Sequence, residues 1–306
     1  MPVVKNRKIF YVISAVLFSA SVIMLAVWGL NLGIDFKGGS IMELKYASER
    51  PSVSELMDTL SALDIGGLSI REASTDSYII RSAPLDDAKH EEVSMAVSTA
   101  SDGESIQVEE TRFSAIGPLL GREAAIKSLW AIGFVLLAIV LFIAFAFRKV
   151  SEPVASWKYG LIAVIALIHD ITIPAGVFAV LGQFYGVEID TLFVTAILVV
   201  LGFSVHDTIV VFDRVRENLR HEYGRKGSEF SAIVGKSIGQ TFVRSINTSL
   251  STLLALVVLY FIGPASTQYF SLVLIIGITA GTYSSIFIAS PLLVTVEKWQ
   301  RNRGKN

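Results

Sequence analysis

Ionisable residues lie inside or at the edge of several long apolar segments of this sequence. They are His169, Asp170, His206, Asp207 and Arg244. A charged side chain inside a lipid bilayer is costly in free energy, so such residues are rare unless they pair with another group or serve a function. Their recurrence in successive apolar segments predicts that the membrane part of the protein handles protons or other ions.

Asp207 is the strongest candidate for that role. It lies in the apolar run 189–212, about six residues from the middle, which is roughly 9 Å toward the predicted cytoplasmic end at about 1.5 Å per residue. Arg244 lies near the same end of another segment, at a depth that allows it to pair with Asp207. The other interpretation of Arg244 is that its side chain extends to the membrane interface.

A polar stripe follows Arg244 along the same predicted helix. Asn247, Thr248 and Ser251 occur three, four and seven residues after Arg244, and residues at these spacings share one helix face. Such a polar face is better suited to line a hydrated path for ions than to contact lipid.

The two His-Asp pairs have two other interpretations. Metal-dependent phosphohydrolases use such pairs, but they need more ligands than this sequence offers in its apolar segments. Intramembrane aspartyl proteases use two aspartates of which one is protonated. The residues that flank those aspartates, a Tyr before one and Gly-x-Gly before the other, are missing here.

The composition is that of an integral membrane protein. Of 306 residues, 52% are hydrophobic and 17% are charged, and the mean hydropathy is +0.59, which is too apolar for a soluble domain of this length. The chain has no cysteine, which excludes disulfides, thiolate metal sites and thiol nucleophiles. A net charge of −1 predicts no nucleic-acid partner.

Six apolar runs are long enough to cross a bilayer, for which about 20 residues are needed. They are 9–30, 129–147, 159–182, 189–212, 245–263 and 268–296. The first run could also be a signal peptide, but it is longer than the usual apolar stretch of about 7 to 15 residues in such peptides. We therefore interpret it as a membrane anchor.

Lysine and arginine concentrate in alternate connections between the runs. They occupy the N-terminal segment 1–8, the connection between the second and third runs, the amphipathic loop 213–244 and the C-terminal segment 297–306. The connections 183–188 and 264–267 contain neither residue. Because basic residues favour the cytoplasmic side, both termini are expected in the cytoplasm and residues 31–128 outside it.

The extracytoplasmic segment has the pattern of an α+β domain with a folded core at 40–113. Ser52 and Glu55 form a capping box at the start of a predicted helix, and the remaining elements follow from periodicity. They are a strand at 40–46, short strands at 68–70 and 78–80, a helix at 86–100 and a strand at 106–108. This βαββαβ order predicts a ferredoxin-like fold, in which we interpret the lone His90 as a surface residue.

Glycines cluster between the first apolar run and this domain, in the segment GIDFKGGS. The residues that define it are Gly33, Asp35, Phe36, Gly38 and Gly39. The segment lacks the spacing of a phosphate-binding loop and does not open a long helix. We interpret it as a tight turn that carries the chain into the first strand.

Four motifs together resemble those of the SecD/SecF family of bacterial protein-export membrane proteins, which are relatives of the resistance-nodulation-division (RND) transporters. They are GIDFKGGS at 33–40, ETRFSAIGPLLG at 110–121, ALIHD at 166–170 and GFSVHDTIVVFDRVREN at 202–218. They occur in order within a plan of six spans that has its large connection after the first span, and the resemblance covers nearly the whole chain.

The resemblance implies an α-helical polytopic protein of the bacterial inner membrane, which forms half of an RND-type unit that SecD completes with six further helices. It also implies an accessory role beside the SecYEG channel and YajC. In that role the proton motive force helps to draw unfolded secretory polypeptide across the bilayer, with no covalent chemistry and no cofactor or metal other than the coupling protons. The alternative is one half of an RND-type exporter of small molecules, and a scaffold without transport is a third reading.

The proton-path positions of that family carry over to Asp207 and Arg244, with Thr248 as a neighbour. His206 replaces the Asn that usually precedes this aspartate. We add Asn247 and the pair His169–Asp170 to the candidate pathway from their positions in the sequence.

Overall fold

The computed structural model describes residues 2–47, 50–99, 106–148, 154–222 and 229–303. It divides into two compact units. We call Leu32–Leu129 the sheet unit, and Met1–Asn31 together with Trp130–Asn306 the helical unit.

In chain order the elements are α1 (Pro2–Lys5), α2 (Arg7–Trp28), α3 (Ile34–Lys37), β1 (Gly39–Tyr46), α4 (Val53–Ser61), β2 (Ser69–Glu72), β3 (Ser77–Ser82), α5 (Asp87–Val97), β4 (Val108–Ile116), α6 (Pro118–Ala146), α7 (Ser156–Tyr185), α8 (Thr191–Glu222), α9 (Phe230–Ile262), α10 (Ala265–Ser284), a π-helical turn (Ser285–Ala289) and α11 (Ser290–Arg303).

The sheet unit is built on four antiparallel strands in the spatial order β2-β3-β1-β4. Because the β1-α4-β2 connection leaves a gap that β3 fills, this order is that of a split βαβ, ferredoxin-like fold. The predicted α+β fold class is confirmed.

Alternate residues of β1 and β3 supply the core of the sheet unit, as the two-residue period of a strand requires. Met42 and Leu44 of β1 and Tyr78 and Ile80 of β3 are buried. They pack against buried positions of the two helices, which are Leu56 and Leu60 of α4 and Val93 and Val97 of α5. The core is therefore complete within this unit.

The start of α4 confirms the capping box. The Ser52 side chain accepts a hydrogen bond from the Glu55 backbone N–H, and the Glu55 carboxylate accepts one from the Ser52 backbone N–H. These hydrogen bonds hold the pKa of the Glu55 carboxyl below its usual value.

Two predicted elements of the sheet unit differ in extent. The last strand runs over Val108–Ile116 instead of 106–108, so the folded core continues past residue 113. As an edge strand it is exposed along much of its length and has a bulge opposite Glu43 and Leu44, so it lacks the clean alternation by which strands are found. The helix predicted at 86–100 ends at Val97, and residue 100 lies outside the described residues.

Six helices of the described residues are long and apolar enough to cross a membrane, which confirms the predicted polytopic fold. They are Arg7–Trp28, Pro118–Ala146, Ser156–Tyr185, Thr191–Glu222, Phe230–Ile262 and Ser266–Arg303.

The helices extend well beyond the apolar runs. Much of the predicted loop 213–244 is helical, because α8 continues to Glu222 and α9 begins at Phe230. Polar side chains join these two extensions, since the Asn218 amide donates hydrogen bonds to Ser237 Oγ and Gln240 Oε1, both at 2.8 Å. Apolar runs mark only the lipid-matched part of a helix, so they miss such extensions.

A hydrophobic core cluster of the helical unit is formed by buried residues of α7, α8, α9, the π-helical turn and α11. Near one end of α7 three aromatic rings pack together, those of Phe147, Tyr159 and Phe212. Val3 and Val4 of the short helix α1 join the same cluster, although the sequence predicted only a polar N-terminal segment there. By contrast, α2, α6 and α9 expose many large apolar side chains, as helices facing lipid or a partner do.

Small residues allow two close helix contacts in this unit. A Cβ placed on Gly176 of α7 would lie 2.6 Å from Ser21 Cα of α2, and one on Gly281 of α10 would lie 2.9 Å from Ser204 Cβ of α8. Both contacts are therefore open only to glycine, which is a common device where helices associate in membranes.

We predict that a fragment of residues 39–116 folds alone as a monomer, because every member of its core cluster among the described residues lies within it. Within this fragment the Tyr46 hydroxyl is buried and has no hydrogen-bond partner among the described residues. An unsatisfied buried hydroxyl is destabilising, so Tyr46→Phe is expected to raise the free energy of unfolding in urea by about 1 kcal/mol.

The matched control is Tyr78→Phe, which removes a hydroxyl that donates to Pro51 O at 2.6 Å and is expected to lower stability by about 1 kcal/mol. Burial raises the pKa of Tyr46 to about 12. Because the pKa of Tyr46 is higher in the folded state than in the unfolded chain, the free energy of unfolding falls as the pH rises from about 10 to about 12. Tyr46→Phe should reduce that fall. A Tyr46→Phe fragment less stable than the wild type would contradict the assignment.

Candidate functional site: two buried carboxylates between helices

Asp207 lies on the buried side of α8, and only 2% of its surface is exposed. Its Oδ2 atom accepts a hydrogen bond from Ser249 Oγ of α9 at 3.4 Å. Thr282 of α10 donates in turn to Ser249 Oγ at 2.6 Å. Three helices therefore meet at this carboxylate, and within the part of the chain that the structure describes it accepts one long hydrogen bond.

Asp170 of α7 forms a second buried site and has no exposed surface. Its Oδ2 atom accepts hydrogen bonds from Ser204 Oγ of α8 at 2.5 Å and from Ser284 Oγ of α10 at 2.6 Å. Its Oδ1 atom lies 2.9 Å from His169 Nδ1. This carboxylate therefore joins three helices through short contacts on both of its oxygens.

His169 is the residue through which this second site reaches α2. The ring lies between Phe18 of α2, at a centroid distance of 6.4 Å, and Tyr283 of α10, at 6.5 Å. Its Nε2 atom is buried and has no hydrogen-bond partner among the described residues. With Nδ1 directed at Asp170, the imidazole is oriented by the carboxylate on one side and by aromatic rings on the other.

The two sites are adjacent along two helices. Ser204 precedes Asp207 by three residues on α8, and Thr282 precedes Ser284 by two residues on α10. Because Gly281 has no side chain, α10 can approach α8 closely at Ser204. The carboxylates of Asp170 and Asp207 are thus bridged by neighbouring positions of the same two helices.

The other predicted pathway residues lie on the surface of the isolated chain. His206, Arg244, Asn247 and Thr248 are all exposed, and no ion pair joins Arg244 to a carboxylate of the described residues. Arg244 is five residues before Ser249, which is about 140° around a helix. Within this chain α9 therefore directs Ser249, and not Arg244, toward Asp207.

Sequence reasoning missed the hydroxyl groups that surround the two acids. Ser204, Ser249, Thr282 and Ser284 are buried, and each bonds either a carboxylate or a hydroxyl that does so. Serine and threonine are common in membrane helices, where they often bond only their own backbone. The spacing of a hydroxyl residue from an acid, such as that of Ser204 from Asp207, is only a weak indication that the two belong to one site until it is known which helices pack together.

The described residues offer no group of three or more His, Cys, Asp or Glu side chains that could hold a metal ion. The sites around Asp170 and Asp207 each combine one carboxylate with hydroxyl groups. Such an arrangement can hold or release a proton but lacks the ligand set of a metal-dependent hydrolase.

The glycine-rich turn has a separate role within the sheet unit. Gly38 has a φ of +80°, and a Cβ there would lie 2.6 Å from Pro118 Cα. A Cβ on Gly121 would lie 2.8 Å from Gly38 N and 3.0 Å from Phe36 C. The backbone of the glycine-rich segment therefore packs directly against the backbone at the start of α6. Within the segment, Gly33 precedes the short helix α3, Asp35 lies in the first turn of that helix and Phe36 is buried. As predicted, the segment leads into β1.

The chain matches two family models. One model, described as "Protein export membrane protein SecD/SecF, C-terminal", matches residues 96–299. The other, the SecD/SecF GG motif, matches residues 23–49. The first match alone spans more than half of the chain and includes both buried carboxylates. This chain belongs to the SecD/SecF family of protein-export membrane proteins.

Similar curated proteins agree with that assignment. Protein translocase subunit SecF of Thermobaculum terrenum is 43% identical over 308 residues, which cover 96% of this chain and 93% of the relative. The subunit of the same name from Anaerolinea thermophila is 35% identical and covers 98% of this chain and 94% of the relative.

A solved structure has the same fold. The crystal structure of SecDF, a translocon-associated membrane protein from Thermus thermophilus, superposes with a TM-score of 0.79 at 27% identity over 96% of this chain. This chain spans 38% of the length of that SecDF chain. The match therefore places this fold as one part of a larger membrane unit in that protein.

We predict that clash-free packing of Gly38 on Pro118 contributes to the stability of the sheet unit in the full-length protein. Gly38→Ala forces a left-handed backbone on alanine and a methyl group onto Pro118, at an expected cost of about 2 kcal/mol or more. The melting midpoint of the sheet unit, followed by circular dichroism of the purified protein in detergent, should fall by about 10 °C.

Gly117→Ala is the matched control, because an added Cβ there meets no atom within 4 Å; its effect should stay within about 0.5 kcal/mol. Equal melting of the two variants would show that the backbone contact is unimportant.

Proposed function

We propose that this chain is an accessory subunit of the Sec protein translocase, which pairs with SecD and uses the proton motive force to promote the export of polypeptides. The family assignment and the translocase relatives support the Sec role. The observation that carries the coupling role is the burial of Asp207 between α8, α9 and α10 with a single long hydrogen bond.

The geometry around Asp207 suits a carboxylate that gains and loses a proton. A carboxylate inside a membrane helix is tolerated when it faces the bundle interior and has a function. Its only hydrogen-bond donor among the described residues, Ser249, is itself the acceptor of Thr282. A proton arriving at Asp207 would reverse the donor and acceptor roles at Ser249, and the hydroxyls would reorient with little movement of the backbone.

The position of Arg244 indicates how a partner contributes. Arg244, Asn247 and Thr248 form an exposed polar face of α9 among exposed apolar residues such as Leu250 and Leu254. A guanidinium in contact with lipid is costly. In our proposal, helices of SecD cover this face and make it the wall of a hydrated path to Asp207, in which Arg244 supplies the opposing charge.

The remaining partners follow from the Sec role. The unit of this chain with SecD acts beside the SecYEG channel and YajC, and its substrate is unfolded secretory polypeptide. In this arrangement the protein spans the bacterial inner membrane with both termini in the cytoplasm, and the sheet unit lies on the outer side where exported polypeptide emerges. The coupling ion is the proton, no further cofactor is required, and the chain performs no covalent chemistry.

The alternative of an RND-type exporter half for small molecules is less well supported. Such an exporter needs an extensive outer region in which to collect its substrates, whereas the single sheet unit here has one four-stranded sheet with a filled core. The similar curated proteins are also translocase subunits.

We predict that impermeant maleimide labels Thr75→Cys in intact cells but not Asn302→Cys. Thr75 is exposed at the end of the sheet unit and Asn302 is exposed near the end of α11, and the native chain has no cysteine to interfere. After the cells are opened, both variants should react. Labelling of Asn302→Cys alone in intact cells would reverse the proposed orientation.

We predict that Asp207→Asn abolishes the gradient-dependent part of export in vesicles reconstituted with the SecYEG channel and SecD. The substitution removes the titratable group with little change in volume, so membrane insertion and co-purification with SecD should remain normal. Arg244→Lys keeps the positive charge and should retain more activity than Arg244→Met, because only the planar guanidinium is lost.

The control is Thr195→Ala on the helix of Asp207, because the Thr195 side chain is exposed and its hydroxyl donates to the Thr191 backbone oxygen. It should export at the wild-type rate. Full gradient-driven export by Asp207→Asn would remove this residue from the coupling mechanism, and Asp170 or His206 would become the next candidate.

A further inference from the structure

We propose that Asp170 is a positioning residue that fixes the helices around Asp207 and carries no proton during coupling. This inference deepens the proposed function and rests on Asp207 as the coupling carboxylate. The sequence alone predicts that Asp170 is a further residue of the proton pathway, and this proposal assigns it a different role.

The first argument is the difference between the two carboxylates. Asp170 has three partners at 2.5 Å, 2.6 Å and 2.9 Å, which are Ser204, Ser284 and His169. Asp207 has one hydroxyl donor at 3.4 Å. A proton on Oδ2 of Asp170 would displace at least one of the two serine hydroxyls, and a proton on Oδ1 would require His169 to adopt the other tautomer, in which Nδ1 accepts.

The second argument is the location of the two serines that Asp170 binds. Ser204 lies one helical turn before Asp207 on α8, and Ser284 lies two residues after Thr282 on α10. Thr282 supports Ser249, the donor to Asp207. By holding Ser204 and Ser284 on a single oxygen, Asp170 sets the spacing of α8 and α10 on which the hydroxyl pair at Asp207 depends.

The third argument is the backbone that follows Ser284. The chain enters a π-helical turn at Ser285–Ala289, in which the Ser290 hydroxyl donates to Ser285 O at 2.8 Å. A π-helical turn is a bulge within a helix and occurs frequently at functional sites. The bond from Ser284 to Asp170 holds α10 to α7 immediately before this turn, so it fixes the position at which the helical register changes.

The test compares Asp170→Asn with Asp170→Leu in vesicles reconstituted with SecD and the SecYEG channel. The amide oxygen of Asn can accept both serine hydroxyls, and its NH₂ group can donate to His169 Nδ1 in the other tautomer. Asp170→Asn is therefore expected to keep gradient-driven export within about twofold of the wild type, because the same acceptors and shape are present. Asp170→Leu should lose about tenfold or more, since small misplacements of a reacting group are costly.

A second pair of variants gives a readout if Asp170→Leu does not insert. Ser204→Ala combined with Ser284→Ala removes both hydroxyl partners of Oδ2 and should lower gradient-driven export by about tenfold. The matched control is Ser271→Ala combined with Ser285→Ala, because these two buried serines bond only backbone oxygens of α10. The control should behave as the wild type.

Three results would overturn the proposal. Loss of gradient-driven export in Asp170→Asn, with normal insertion and SecD binding, would make Asp170 a proton carrier. Wild-type export in Asp170→Leu, or in the Ser204 and Ser284 double variant, would show that its contacts do not position Asp207. The failure of the proposed function is distinguishable from these, because it is reported by Asp207→Asn in the same vesicles.

Discussion

A carboxylate buried in a membrane bundle must find its hydrogen-bond donors on neighbouring helices, and the interior of this protein follows from that requirement. A helix uses its own N–H groups internally, so a buried acid depends on side chains across the interface. Here these are the hydroxyls of Ser204, Ser249 and Ser284. Short hydroxyl side chains reach a carboxylate only when the backbones are close, which is why a glycine, Gly281, stands at the contact of α10 with α8.

The two acids satisfy this requirement to different degrees. A fully coordinated carboxylate such as Asp170 has a single well-defined arrangement, and disturbing it leaves polar groups unpaired in an apolar environment. A loosely held carboxylate such as Asp207 can change its protonation state while few contacts are lost. The two sets of contacts meet on α8, where Ser204, which bonds Asp170, lies about one helical turn before Asp207.

The features that could be predicted from the sequence are those that depend on residues close together in the chain. The six spans, the capping box at Ser52 and the βαββαβ order depend on local patterns, and the structure confirms them. The partners of Asp207 depend on the rotation of α9 about its axis. The polar stripe from Arg244 indicates one face of that helix, whereas burial selects the face of Ser245 and Ser249. No local pattern distinguishes these faces, because both carry polar residues at helical spacing.

The same rotation of α9 divides the residues of the predicted pathway between the interior and the surface of the chain. Its carboxylates are inside the bundle, while His206, Arg244, Asn247 and Thr248 lie on the surface. An exposed guanidinium inside a bilayer is stable only beside water, an opposing charge or a partner helix. Among the described residues, Asp170 and Asp207 have partners inside the bundle, and neither forms an ion pair with Arg244. If these residues form the proposed proton pathway, a subunit without its partner has only the interior half of it.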